Sequence, residues 1–340
     1  MIYEPLMRAG ADLILQIQQA VPYFDGIMLF FSFLGLEDFY ILLVSFIFFC
    51  VDQRFAIRFL LLLSLSSFIN SVAKLALHSP RPYWWDARVQ GLATETSYGP
   101  PSGHSQNAIA VWGYLAHWGA GLKQNGTALI WIACGFIAFM ISFSRMYLGV
   151  HFPHSIVLGW IIGAILLLAF IHYIDRAWRW YHQQSTAMQI TLPLLFAGIA
   201  IAVPIFIRML LEQNARLDNP IWAVNAAADQ PDAIIAPRSL ESMISNLAVF
   251  SATLIGAAFY ERQAHFKIDD AWLRRLARFV LALIGVMVIR IGLSALFPRE
   301  PELPAMILRF VRYSLMVLWA VWLAPLLFIR IGLAERAPQP

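Results

Sequence analysis

An all-α protein that crosses a membrane several times is what this sequence predicts, on three observations. Of its 340 residues, 60% are hydrophobic and only 13% are charged, whereas ordinary soluble domains are nearer a quarter charged. The apolar residues come in long runs, many of them near the roughly 20 residues that a membrane-spanning helix needs. The runs lack strand-type alternation, which excludes an outer-membrane barrel. Helices remain, because they satisfy their own backbone polar groups in lipid.

The N-terminal segment, 1–26, reads as an amphipathic helix lying on the membrane surface. Leu6, Leu13, Ile14, Ile17 and Val21 share one helical face, and Arg8, Asp12, Gln16 and Gln19 share another. It is not a signal peptide: Glu4 and Asp12 interrupt it, and no apolar core begins before residue 27. Nine spans follow, at about 37–52, 56–76, 105–122, 127–147, 155–174, 190–211, 240–260, 276–297 and 306–329. Residues 27–36 extend the first. Pro204 and Pro325 fall inside spans and should kink them, as lipid-embedded helices tolerate.

The formal net charge of +4 arises from 24 basic and 20 acidic residues. It is read as flank charge that sets topology. No basic run with interleaved aromatics appears, so a nucleic-acid surface is not expected. Arg54, Arg58, Lys123, Arg176, Arg179, Arg262, Lys267, Arg274, Arg275, Arg278, Arg330 and Arg336 all fall in connections of one side. By the positive-inside rule that side is the cytoplasm. Glu212, Asp218, Asp229, Asp232, Glu300 and Glu302 fall on the other. The N-terminus is therefore expected outside and the C-terminus inside. Cys50 and Cys134 lie within apolar spans and read as small buried hydrophobes. Arg290 reads as a helix–helix partner, and Arg309 and Arg312 as snorkelling anchors.

Polar residues without a topological role gather on the external side in three segments. These are KLALHSPRPYWW (Lys74 to Trp85), PPSGHSQN (Pro100 to Asn107) and SRMYLGVHFPHS (Ser144 to Ser155). Their chemistry suits phosphate. Arg81 and Arg145 can grip phosphate oxygens with two donors, and Lys74, two helical turns before Arg81 if the helix persists, adds a point charge. Ser102 and Gly103 open a helix whose free N–H groups favour an anion. His104 and His151 supply two imidazoles, one to attack phosphorus and one to protonate a leaving oxygen. His78 and His154 are neighbours with weaker claims.

Taken together, the three segments resemble the three signatures of the type 2 phosphatidic acid phosphatase superfamily. That superfamily includes bacterial lipid phosphatases, glucose-6-phosphatases and vanadium haloperoxidases. Lys74 and Arg81-Pro82 match the first signature, Pro101 to His104 the second, and Ser144, Arg145 and His151 the third. The resemblance implies that His151 is the nucleophile, forming a phosphohistidine. It implies that His104 is the general acid, and that Lys74, Arg81, Ser102, Gly103 and Arg145 hold the phosphoryl oxygens. It implies neither metal nor cofactor. It also divides the chain into the surface helix of 1–26, a phosphatase-like membrane core over 27–175 and additional transmembrane helices over 176–340.

One position departs from the family pattern. The third signature ends in an Asp that orients the nucleophilic histidine, and here that position is Ser155. A hydroxyl can accept the bond but carries no charge, so reduced activity is expected. Asp86 is the nearest acid in the matching segments. Three functions are therefore in play. The first is a phosphatase of the bacterial inner membrane, cleaving a phospholipid phosphate or a polyprenyl phosphate or pyrophosphate at the external face. The second is a glucose-6-phosphatase-like sugar phosphatase. The third is a catalytically impaired binder or transporter of phosphate lipids. The sequence leaves the oligomeric state open.

Overall fold

The structure, a computed structural model, describes residues 4–122, 126–214, 218–233, 235–297 and 303–337. In chain order the helices are α1 (Glu4–Ala20), α2 (Asp25–Phe33), α3 (Glu37–Cys50), α4 (Gln53–Leu77) and α5 (Pro82–Trp85). Then come α6 (Gly103–Asn107), α7 (Gly113–Gly121), α8 (Thr127–Tyr147), α9 (Pro153–His182) and α10 (Thr186–Ala200). The remainder are α11 (Ala202–Gln213), α12 (Ile221–Asp229), α13 (Glu241–Phe259), α14 (Trp272–Leu296), α15 (Leu303–Leu318) and α16 (Ala324–Arg330). A π-helical turn, Ala108–Trp112, joins α6 to α7. Among the described residues there is no strand, only an isolated bridge between Phe266 and Arg336.

Among the described residues, seven helical segments are long and apolar enough to cross a membrane. The α2–α3 pair, bent by 52°, makes an eighth if it counts as one span. The expected span at 105–122 is the difference from nine. A helix stands there, but it opens on Gly-His-Ser-Gln-Asn and carries His117, so its residues lack the apolarity of the others. The prolines act much as expected. Helix α10 ends at Ala200, the residue whose carbonyl Pro204 would strike in a continuous helix. Pro325 follows a second π-helical segment, Trp319–Leu323, which gives its ring room. Lys123, Glu300 and Glu302, used above to set orientation, lie outside the described residues.

The chain forms two compact units. The first comprises Met1–Phe39, Ser66–Phe170 and Val203–Leu240. Here α8 is the central post, with α1, α2 and α7 packed on it, while α12 packs on α5. The buried stripe of α1 is Met7, Gly10, Ala11 and Ile14. Leu6 and Leu13, expected to share its apolar face with Ile14, stay exposed. Gly10 sets this register, because a Cβ there would lie 2.9 Å from the Phe152 ring.

Two contacts fix α6, whose first turn carries His104. Asn70 of α4 donates to Gln106 Oε1 at 2.9 Å and to the Pro101 carbonyl at 3.3 Å. Gln106 donates onward to the Ser66 carbonyl, and Ser66 Oγ donates to Asn107 at 2.7 Å. Every member of this buried chain has a partner, the condition under which such a network rigidifies. On the other side α9 approaches with Gly159 and Gly163, one turn apart. A Cβ at Gly159 would lie 2.7 Å from the Ser102 carbonyl, and one at Gly163 would lie 2.4 Å from the Gln106 carbonyl. This is the small-residue packing that lets helices touch backbone to backbone in a membrane.

The second unit comprises Tyr40–Leu65, Ile171–Ala202 and Glu241–Pro340. Its core is built by α13, α14 and α15 around Ala248, Val286, Tyr313 and Met316. An aromatic cluster of Phe48, Phe49, Tyr260, Phe266 and Phe328 adds to it. Cys50 and Cys134, one in each unit, are buried free thiols. The Arg309 guanidinium pairs with Glu241 at 2.6 Å and lies over the Tyr313 ring. Arg312 also lies over that ring.

The glycine contact gives a stability prediction. Gly163→Leu forces a side chain against the backbone of α6, and overpacking of this kind costs about 1–3 kcal/mol. The thermal midpoint of the purified protein should fall. An unchanged midpoint would rule out the close approach of α9 to α6.

Candidate active site

The three signature segments converge within the first unit. Helix α4 ends at Leu77, and His78 follows with φ of 34°, a left-handed turn that stops the helix. Lys74 and Arg81 are therefore not on one continuous helix, as their spacing suggested. They meet through a third segment instead. Lys74 Nζ donates to Ser97 Oγ at 3.2 Å and to the Tyr98 carbonyl at 3.0 Å. Arg81 donates through Nε to the Ser97 carbonyl at 2.7 Å, and through Nη2 to the Tyr98 carbonyl at 3.1 Å. Arg81 is fully buried, and its guanidinium stands 5.7 Å from the Trp84 ring.

Arg145, at the end of α8, is also buried. One nitrogen donates to Ser32 Oγ and another to Glu95 Oε1. Arg81 Nη2 donates to the other oxygen, Glu95 Oε2, at 2.9 Å. One carboxylate thus bridges the two arginines through both its oxygens. Burial opposes ionisation of Glu95, but the charges of Arg81, Arg145 and Lys74 outweigh it and hold the carboxyl well below its ordinary 4.5. Glu95 is the acid of this pocket. Asp86, the nearer acid in the signature segments, is instead held by Arg88, with Nη2 at 2.7 Å.

The imidazoles flank this charge cluster. His151 is buried, and its Nε2 lies 3.3 Å from Arg81 Nη1. A guanidinium can only donate, so Nε2 is the acceptor and the ring proton belongs on Nδ1. Burial first, then the charges of Arg81, Lys74 and Arg145, hold this imidazole well below its usual 6.5. The ring is thus neutral near pH 7, with its lone pair turned toward the arginines. His104 packs its ring on Gly35, where a Cβ would lie 2.4 Å from Cδ2. Ser102 caps α6: its Oγ accepts from the Ser105 amide at 3.3 Å and from Ser105 Oγ at 2.9 Å. A Cβ on Gly103 would lie 2.8 Å from Asn70 Oδ1.

Ser155 departs from the expectation. Its carbonyl accepts from the Ser102 amide at 3.0 Å, tying the second and third signatures together. Its hydroxyl does not bond His151. Ser155 Oγ and His151 Nδ1 are both buried, and neither has a hydrogen-bond partner. His154 stacks on Phe152, with ring centroids 5.1 Å apart. His78 bonds the Ala76 carbonyl at 3.1 Å.

Residues 55–179 match the PAP2 superfamily, and residues 244–336 match the PAP2 superfamily phosphatase transmembrane extension. The chain carries a PAP2 superfamily domain and its extension. This PAP2 protein is 24% identical over 187 residues to glucose-6-phosphatase catalytic subunit 1 of Haplochromis nubilus, covering 48% of this chain and 52% of that one. The match thus spans about half the length of that relative. Identity is 30% over 175 residues with lipid phosphate phosphatase delta of Arabidopsis thaliana, covering 46% and 40% of the two chains. It is 28% over 152 residues with phosphatidylglycerophosphatase B of Bacillus subtilis (strain 168), covering 43% and 72%. A solved structure of the first transmembrane PAP2 type phosphatidylglycerolphosphate phosphatase from Bacillus subtilis aligns with a TM-score of 0.45. That alignment has 24% identity and covers 52% of this chain and 87% of the other.

Glu95, Ser97 and Tyr98 are the site residues that the signatures do not name. A charge count could have found Glu95. Between Lys74 and Arg145 the sequence holds two acids, Asp86 and Glu95. Three cations gathered out of water require an anion close by.

The bridge gives a prediction on stability. Removing one partner of a buried ionic cluster is costly, about 3–5 kcal/mol. Glu95→Gln should therefore lower the thermal midpoint, and added inorganic phosphate should restore it more than it raises the wild type. The wild type's Glu95 contribution is complete above pH 4.5 and is lost as pH falls through the depressed pKa. Glu95→Gln should lack that acid loss. Equal phosphate-induced shifts in the two proteins would show that phosphate does not use these arginines.

Proposed function

We propose that this PAP2 protein is an integral-membrane phosphatase that hydrolyses a phosphate monoester or pyrophosphate through a phosphohistidine. The observation that carries the reading is the bridging of Arg81 and Arg145 by one carboxylate, with the His151 Nε2 lone pair beside Arg81. A phosphoryl group presents the same pair of anionic oxygens as Glu95 does. It would place its phosphorus within reach of that lone pair.

The steps follow from the groups present. Arg81, Arg145 and Lys74 hold the phosphoryl oxygens, with Ser102 and Gly103 at the start of α6. His151 Nε2 attacks phosphorus in line, and the bond from phosphorus to the leaving oxygen breaks. Burial and then the charge of Arg145 hold His104 well below 6.5, so it takes up its proton when the bound phosphoryl anion offsets these charges, and gives that proton to the leaving oxygen. It then takes a proton from water, whose oxygen displaces His151 and releases inorganic phosphate. The cations stabilise the charge that develops on the equatorial oxygens. Neutral His151 suits the first step, because only the unprotonated ring is a nucleophile.

A lipid substrate is the favoured class. Phosphatidylglycerophosphatase B has the largest share of its length matched among the relatives described. Helix α1 and the turn after it also expose the apolar residues Leu6, Leu13, Tyr23 and Phe24, suited to the headgroup layer of a membrane. Candidate substrates are phosphatidate, phosphatidylglycerophosphate and a polyprenyl pyrophosphate, met at the external face of a bacterial inner membrane. The match to a glucose-6-phosphatase supports a sugar phosphate as the second reading. Assaying phosphate release against a panel of lipid and sugar phosphates separates the two.

Two further outcomes are expected. Arg81→Lys and Arg145→Lys should each remove most turnover, because lysine lacks the two-donor fork. Vanadate should inhibit the wild type, and EDTA should not. Loss of activity in EDTA with recovery on adding a divalent ion would refute the metal-free route. Separately, Ser155→Asp should raise kcat by at least about tenfold, near 1.4 kcal/mol, with little change in KM. The orphaned His151 Nδ1 motivates this, since an aspartate can accept its proton and stabilise the cationic ring. A flat kcat would show that this nitrogen needs no carboxylate.

A further inference from the structure

The two family matches leave residues 180–243 between them. Part of that stretch, Val203–Leu240, folds into the unit that holds the active site. It does so by gripping the segment Gly91 to Tyr98, here called the strap, which brings Glu95, Ser97 and the Tyr98 carbonyl to the phosphate cations.

The strap is held in two halves. Its beginning is tied by residues inside or before the PAP2 match. The Leu92 amide donates to the Leu148 carbonyl at 3.0 Å. Gln18 of α1 bonds the neighbouring Gln90 carbonyl at 2.9 Å. Tyr83 Oη donates to the Glu95 carbonyl at 3.2 Å, Arg81 and Arg145 hold Glu95 and Ser97, and further ties come from the later connection. Asp229 accepts from the Gly91 amide at 2.6 Å, and Gln230 donates to the Gly91 carbonyl at 2.8 Å. Thr94 Oγ1 donates to Gln230 at 2.7 Å, and the Ala236 amide donates to the Thr96 carbonyl at 3.0 Å. Asn225 reaches the Trp84 carbonyl at 3.0 Å, where α12 packs on α5.

The end of the strap has the strongest tie. The Tyr98 ring is fully buried, and its hydroxyl donates to Asp218 at 2.8 Å. Arg238 binds the same carboxylate at 2.6 Å and anchors itself on the Leu211 carbonyl at 2.9 Å. Burial first, with Asp218 adding to it against Arg238, pushes the Tyr98 hydroxyl up to about 12, so it stays a donor. The carbonyl of Tyr98 is an acceptor that Lys74 and Arg81 share, as is Ser97 Oγ. The residue thus carries position from an ion pair on one side to two cations on the other.

We propose that Asp218 and Arg238 are positioning residues for the phosphate site, acting through Tyr98 and the strap. This rests on the phosphatase reading. They touch no substrate. They fix where Lys74 and Arg81 stand, so their loss weakens the grip on a phosphoryl group.

The test is a double-mutant cycle on the full-length protein with Tyr98→Phe, Asp218→Asn and the pair. Orthovanadate inhibition is the first readout, and hydrogen exchange of the Thr94 to Tyr98 amides is the second. Each single variant should raise the vanadate Ki about tenfold, the scale of one lost charge-assisted hydrogen bond. The pair should do little more, because both changes cut one tether. The KM for a phosphorylated lipid should rise with Ki, and kcat should move less. A role in folding alone would lower the thermal midpoint and leave Ki unchanged, which would overturn the proposal. If Asp218→Asn does not fold, Tyr98→Phe, which deletes one oxygen, decides. If the wild type neither releases phosphate nor binds vanadate, the phosphatase reading falls. The tether is then judged by hydrogen exchange alone: faster exchange in the variants supports it, and unchanged exchange refutes it.

Discussion

Two arginines held out of water, with a half-buried lysine beside them, are the constraint around which this site is built. Desolvating a single ion costs several kcal/mol even after a protein relaxes around it. Arg81 is sealed from solvent, and Arg145 nearly so. The fold meets that cost with one carboxylate, several backbone carbonyls and two serine hydroxyls, each brought by a different piece of chain. Arg81 alone uses Ser97, Tyr98, Val150 and Glu95. This many-sided demand explains why the polar residues fall in a loop, two helix ends and a turn. No single helix can surround a guanidinium.

The same demand shapes the helices beneath. Helix α6 opens on Gly-His-Ser-Gln-Asn, so it starts polar and lacks the composition of a conventional span. Its inner turns are lodged between the Asn70–Gln106–Ser66 chain and the glycine face of α9. Polar side chains that would be costly in lipid are there satisfied by each other. The backbone of α9 approaches to contact and leaves no room for lipid between.

Much of this was legible in the sequence because the chemistry is local. Lys74, Arg81, Ser102, His104, Arg145 and His151 announce themselves by residue type and short spacing, and the structure brings them into one unit. The long apolar runs gave their helices, α8 at the expected bounds, while α9 continues past its apolar stretch to His182 on a more polar end. Three things were not legible. The helix at Gly103–Gly121 has a span's position but not its composition. The break between Leu77 and Pro82 depends on a left-handed residue that no pattern marks. Glu95, Asp218 and Arg238 act at a distance along the chain, and a lone acid in a loop looks the same whether it faces water or an arginine. Ser155 was found by pattern, but the pattern could not say that its hydroxyl makes no hydrogen bond to His151.

The return of residues 203–240 to the first unit also bears on how the protein is made. A chain emerging from the ribosome presents every signature residue by the time α9 is complete. At that moment the strap can bond the signature cations, but Tyr98 has no anchor for its hydroxyl, which Asp218 supplies. The arginine pocket reaches its final shape only after α10 and α11 have been placed and the following connection has come back across α5. Assembly of the arginine pocket therefore waits on residues made later than every signature residue, among them Asp218 and Arg238.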